Sequence, residues 1–171
     1  YVHTYPDLPG GWPIPELAEY YGLKDHMSIS DPYDWMYGKF TDETMVKMHA
    51  MADVCLNVGH EGMGLATLQS QSCNVPVIGL KEAGTEEILR YGVFVPIGST
   101  IQTPDLLVKA LPSPENIASA LYAVYSSPRS KWAGGAEWVK KNYDWSVILP
   151  KWSKFLKEFE DDLEANCVSS A

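Results

Sequence analysis

At 171 residues, 46% of them apolar and 20% charged, the chain can bury a core, which excludes wholesale disorder and fits one ordinary domain. A formal net charge of −9 with scattered lysines and arginines excludes nucleic acid as a main partner, because phosphate neutralisation needs a clustered basic face. Three cysteines without ligand or framework spacing exclude a disulfide scaffold and a Cys/His metal site.

In chain order, residues 1–5 suggest a short strand, broken by the Pro/Gly run at 6–13. Residues 15–21 predict a helix closed by Gly22. "HMSIS" is a second candidate strand, followed by the aromatic loop "DPYDWMYGKF". Thr41 reads as an N-cap, with Asp42 and Glu43 favouring the dipole of the helix that follows. "DVCLNV" is a short apolar run, expected as a strand buried on both faces. A helix is predicted over 63–73, then a strand over 75–80, the loop "KEAGTEE" and a short helix to 91. "GVFVPI" is a further strand. Ser113 and Pro114 mark the start of the next helix. Two helices are expected over 129–142 and 146–164, with Pro150 near the start of the second. Alternating apolar strands and helices imply an α/β, Rossmann-like parallel sheet with helices on both faces and extra C-terminal helices. One domain is expected over 1–165, with a tail at 166–171. No apolar run approaches the length of a membrane span and no signal-type segment is present. The chain opens without methionine, as if taken from something longer, and its cysteine usage fits a reducing, cytoplasmic setting.

Between two predicted strands lies "HEGMGLATLQSQSCNVPVIG", in which no charged residue follows Glu61. In an open parallel sheet, ligands gather beyond the carboxyl ends of the strands. A glycine turn leading directly into a helix there presents backbone N–H groups and a helix dipole to an anion such as phosphate. Gly62 and Gly64 keep that approach clear. A carboxylate beside such a seat, Glu61, suits a neutral, hydroxyl-rich group, because carboxylates accept charge-assisted hydrogen bonds from sugar hydroxyls. Complementing the helix dipole is the other role open to it.

From Gly38 onward the sequence resembles the carboxyl-terminal domain of family 4 retaining glycosyltransferases, one half of a GT-B fold. The resemblance runs through "GKFTDETMVKMHAMADVCLNVGHEGMGLATLQSQSCNVPVIGLKEAGTEEI" and "GVFVP" to "NYDWSVILPKWSKFL". Glu61, Gly62, Met63, Gly64, Cys73, Pro76, Val77, Gly84 and Glu87 fall on the family's features in register. The resemblance implies a nucleotide-diphosphate sugar as donor substrate, a hexosyl group transferred to a glycan, lipid or other hydroxyl acceptor, and no metal or other cofactor. Glu61 would contact the donor sugar and act as the catalytic residue. The amides of Gly62, Met63, Gly64 and Leu65 would face the diphosphate and sugar. Gln69 would occupy the ribose position, Gly38 and Lys39 would lie near the base, and Gly84 and Thr85 would border the donor. Gln69 stands where the family has glutamate, Ala83 stands where it has glycine, and the link over 31–37 is longer than the family's.

An acceptor-binding amino-terminal domain, with an arginine and lysine for the diphosphate, would precede Tyr1. Any peripheral membrane contact belongs to that domain, and this domain alone is expected to be inactive. Two rival classes stay open: a non-catalytic sugar-nucleotide-binding or scaffolding relative, and a sugar-nucleotide epimerase. The epimerase needs an acid–base pair that the sequence does not reveal. A dehydrogenase is disfavoured because "EGMG" lacks G-x-G-x-x-G spacing.

Of the remaining residues, His60 is expected to have a local partner, and His49 to be structural. Lys81 and Glu82 are expected as a solvated pair, and Glu87 as a cap of the next helix. Trp132, Trp138, Trp145 and Trp152 are expected in the core or in domain packing. Trp12 and Trp35 are expected to be open.

Overall fold

A computed structural model describes residues 1–4, 11–104 and 106–168, with side chains to residue 163 in the last helix. The predicted strand over 1–5 and the break after it fall partly outside the described residues. The chain forms two compact units, Tyr1–Met48 and His49–Ala171.

In the first unit, α1 (Ile14–Tyr20) carries Pro15 in its first turn and closes on Gly22, whose N–H donates to the Glu19 carbonyl at 3.1 Å. "HMSIS" does not extend into a strand; a single parallel bridge joins Val2 and Ile29. The expected aromatic loop is instead a short helix, α2 (Pro32–Met36). Asp31 caps it by accepting from the Tyr33 N–H at 2.8 Å, and Pro32 pre-sets its first turn. Trp35 stacks on His3 at 4.6 Å and lies 5.0 Å from Phe40, yet it stays exposed, as expected. The helix α3 (Asp42–Met51) begins where Thr41 accepts from the Thr44 N–H at 3.3 Å, as the N-cap reading requires.

The second unit holds a three-stranded parallel sheet in the order β1 (Cys55–Asn57), β2 (Val77–Leu80), β3 (Gly92–Val95). The register pairs Cys55 with Val77 and Val77 with Gly92. β2 is buried throughout, whereas β1 is shorter than predicted and leaves Leu56 48% exposed. β1 lies at the edge of this sheet, so the expectation of burial on both faces fails there. Alternate residues of β2 face opposite ways. Ile78 and Leu80 pack with Ala120, Val124 and Trp132, while Gly79 meets Thr85 and Leu89 on the other side. The sheet is thus flanked by helices: α4 (Leu65–Ser72) and α5 (Ala83–Ile88) as crossovers, and α6 (Pro114–Tyr125) over β2 and β3. Ser113 caps α6 by accepting from the Asn116 N–H at 3.2 Å.

An antiparallel hairpin, β4 (Ile97–Gln102) with β5 (Val108–Pro112), was not anticipated. It hangs beside the sheet with β4 exposed along its length. The chain then runs through a 3-10 turn, Arg129–Trp132, into α7 (Gly135–Tyr143) and α8 (Trp145–Val168). α8 therefore continues into the stretch expected as a tail. Pro150 is its sixth residue and is accommodated inside the helix. Trp132 is buried as expected, whereas Trp145 and Trp152 stand 70% and 57% exposed.

Candidate functional site

Two connections leave the carboxyl ends of adjacent parallel strands, residues 58–64 after β1 and residues 81–82 before α5. The Gly84 N–H donates to the Glu61 carbonyl at 3.3 Å, joining the two. A Cβ on Gly84 would fall 2.1 Å from the Gly62 carbonyl oxygen and 3.0 Å from the Met63 Cα, so a side chain there would push the turn away. The sequence placed Gly84 near the donor; the structure adds that it is the floor of the Glu61–Gly64 turn.

That turn is open. Glu61, Gly62 and Met63 are exposed, and nothing lies within 4 Å of where a Gly62 Cβ would stand. Gly64 is buried at φ +72°, the left-handed conformation that glycine adopts without penalty, and its would-be Cβ lies 3.1 Å from Ile88 Cδ1. It is the N-cap of α4, and no side chain caps that helix. The first intrahelical bonds run from the Thr67 and Leu68 N–H groups to the Gly64 carbonyl, at 3.0 and 3.3 Å. The amides of Leu65 and Ala66, ahead of them, have no intrahelical acceptor. No acidic residue stands in the first turn of α4. A positive partial charge therefore faces outward at the turn without an acid on the helix to offset it.

Other expected site residues divide. Gln69 is exposed on α4, where its side chain bears on His49. Thr85 is 1% exposed: its methyl packs on Gly79 and its Oγ1 is sealed without a hydrogen-bond partner. Of the hydroxyl and amide through which Thr85 could reach a ligand, the hydroxyl faces inward, because the sheet holds that side chain. Gly38 and Lys39 lie in the first unit. Gly38 closes α2 at φ +62°, and Lys39 Nζ contacts Asp34 Oδ1 at 2.7 Å. The hydrogen bond that Lys39 donates to Asp34, reinforced by the carboxylate's charge, raises the Lys39 pKa above its ordinary value.

The helix expected to follow "KEAGTEE" starts inside it, at Ala83. Glu87 is therefore the fifth residue of α5 rather than its cap. Lys81 and Glu82 do not pair with each other. Lys81 Nζ approaches Glu86 Oε1 at 3.6 Å, and Glu82 Oε2 meets His60 Nδ1 at 2.9 Å. His49 is structural, with Nδ1 2.9 Å from Ser70 Oγ.

Sequence reasoning missed Gln71, a fully buried amide. Its Nε2 donates to the carbonyls of Thr67 (3.2 Å) and Ile88 (2.9 Å), and its Oε1 accepts from the N–H groups of Arg90 (2.8 Å) and Tyr91 (2.9 Å). It fastens the end of α4 to the chain leaving α5, and so stabilises the frame carrying both loops. A glutamine in an otherwise small, uncharged helix was the available signal.

A cavity of about 650 Å³ lies elsewhere, lined by Asp53, Leu121, Tyr122, Tyr125, Arg129 and Trp132 among others. Asp53 and Val54, both in its lining, immediately precede β1, so this cavity borders the amino end of that strand, not the end where α/β sheets collect ligands. We place the candidate site at the Glu61–Gly64 turn on that topological ground.

No family profile matches the chain. Over 165 residues it is 27% identical to a GDP-mannose-dependent alpha-(1-6)-phosphatidylinositol monomannoside mannosyltransferase, found in two strains of Mycobacterium tuberculosis. The chain is homologous to glycosyltransferases. The match covers 88% of this chain and 38% of the mycobacterial protein, so the chain spans well under half the length of these curated relatives. Among solved structures, a sucrose-phosphate synthase from Thermosynechococcus elongatus superposes with a TM-score of 0.68 at 18% identity, over 87% of this chain and 34% of that one. The fold is accordingly that of part of a GT-B glycosyltransferase.

Proposed function

We propose that the turn Glu61–Leu65, floored by Gly84, is the donor subsite of a retaining hexosyltransferase of family 4 that uses a nucleotide-diphosphate sugar. One observation carries the reading: an exposed glycine turn at the carboxyl end of a parallel strand opens an uncapped helix whose first turn carries no acid. The amides of Gly62, Met63 and Leu65 face the diphosphate and Glu61 accepts from hydroxyls of the sugar. Gln69 addresses the ribose without charge. The similarity to a GDP-mannose-dependent mannosyltransferase supports a sugar nucleotide as the donor.

Catalysis in this reading is positioning plus electrostatics. The dipole of α4 steadies the departing diphosphate, Glu61 steadies the sugar as it gains positive character, and a leaving-group oxygen takes the acceptor's proton. No metal or other cofactor enters the proposal. The acceptor, a glycan or lipid, is held by an amino-terminal domain such as the longer relatives have room for, and the setting is cytoplasmic on the cysteine usage. Among the described residues no helix is long and apolar enough to cross a membrane.

The test is calorimetric. The chain should bind a nucleotide sugar more tightly than the matching nucleoside diphosphate. In Glu61→Ala that difference should shrink by about tenfold, while affinity for the diphosphate alone changes little. A variant that keeps the full preference for the sugar removes Glu61 from the site.

A further inference from the structure

His60 and Glu82 flank the candidate site on its two loops, one residue before Glu61 and two residues before Gly84. Their facing atoms, imidazole Nδ1 and carboxylate Oε2, are 2.9 Å apart, and the side chains are only 26% and 27% exposed. Glu82 Oε2 is sealed from solvent, and no donor aligns with it in hydrogen-bond geometry. The imidazole Nδ1 is the polar atom that meets this otherwise uncompensated buried oxygen. The nearest lysine in sequence, Lys81, turns to Glu86 instead. Glu82 has no capping bond to α5 to occupy it.

We infer that His60 and Glu82 are positioning residues for the donor, an inference that rests on the reading above. The pair closes a bracket whose other arm is the Gly84 N–H bond to the Glu61 carbonyl. Glu61 sits between the two ties, so its backbone, and with it the direction of its carboxylate, is set by the β2–α5 connection. Loosening the His60–Glu82 tie lets the turn swing from Gly84 and weakens the grip on the sugar before it affects the sheet. The pair holds the turn and takes no part in bond making.

Three variants test it: His60→Gln, Glu82→Gln and the double change, each keeping side-chain size. Two quantities are read on each, amide exchange at the Gly84 N–H and calorimetric affinity for GDP-mannose. Exchange at buried Ile78 reports that the sheet is intact. Each single variant should speed Gly84 exchange and weaken GDP-mannose binding by about threefold to tenfold, and the double variant should do no worse than either single one. If the wild-type chain binds the sugar nucleotide and the variants match it, or if the single effects add in the double variant, the positioning role is overturned while the donor site stands. If the wild-type chain does not bind it, the donor-site reading and this role fail together.

Discussion

Ala83 adopts φ +48°, a left-handed conformation that costs a residue with a Cβ roughly 1 kcal/mol or more. It stands where the family that the sequence resembles has glycine, and the cost explains why glycine suits the position. Ala83→Gly should therefore raise stability by about 0.5–1 kcal/mol in urea unfolding; an unchanged or lower midpoint would mean the strain is relieved elsewhere. Its neighbour Gly84 was singled out by motif register. The reason for a glycine there was not legible, because the close approach to the Gly62 carbonyl joins a turn to the start of α5 more than twenty positions away. Thr85 shows the opposite case: a hydroxyl in a ligand-bordering loop suggests ligand contact, yet tight packing on Gly79 turns it inward.

Among the elements, caps and apolar strands were readable because their causes are local: Thr41, Ser113 and the run "VIGL" carry their own signals. The hairpin of β4 and β5 was missed because its exposed face gives no clean apolar alternation, although Thr103 and Pro104 mark the end of its first strand. α8 presents Trp145, Leu149, Trp152, Leu156 and Phe159 to solvent at helical spacing, which sequence alone reads as a core face. Two seams decide how firmly the helices hold the site. Gln71→Met keeps the side chain's length but strands the N–H groups of Arg90 and Tyr91 and the Ile88 carbonyl, so it should cost about 3 kcal/mol in denaturant unfolding. A loss under 1 kcal/mol would show that water replaces the amide.

The second seam is His49 against Ser70. Burial lowers the His49 pKa below its ordinary 6.5, with Gln69 partly opposing. The folded state therefore resists protonation that the unfolded chain accepts. Its stabilising effect is complete above pH 6.5 and is lost as pH falls through the folded-state value. Thermal unfolding from pH 7.5 to 5.5 should show a loss below about 1 kcal/mol, since the ring is only half-buried, and His49→Gln should flatten that slope. An identical slope in the variant would assign the pH dependence to other groups.

At the scale of the molecule, a net charge of −9 makes the Glu61–Gly64 turn notable as a place where backbone groups, rather than basic side chains, would receive an anion. The half-GT-B architecture was legible because strand–helix alternation and motif register agree. The division into two units was not, since it falls inside the continuous helical pattern of α3. The account stands on donor binding at that turn. Backbone amide shifts recorded while GDP is titrated into the chain test this most directly. Displacements should concentrate at Gly62, Met63, Leu65 and Gly84; shifts centred on Tyr122, Tyr125 and Arg129, or none at all, would contradict it.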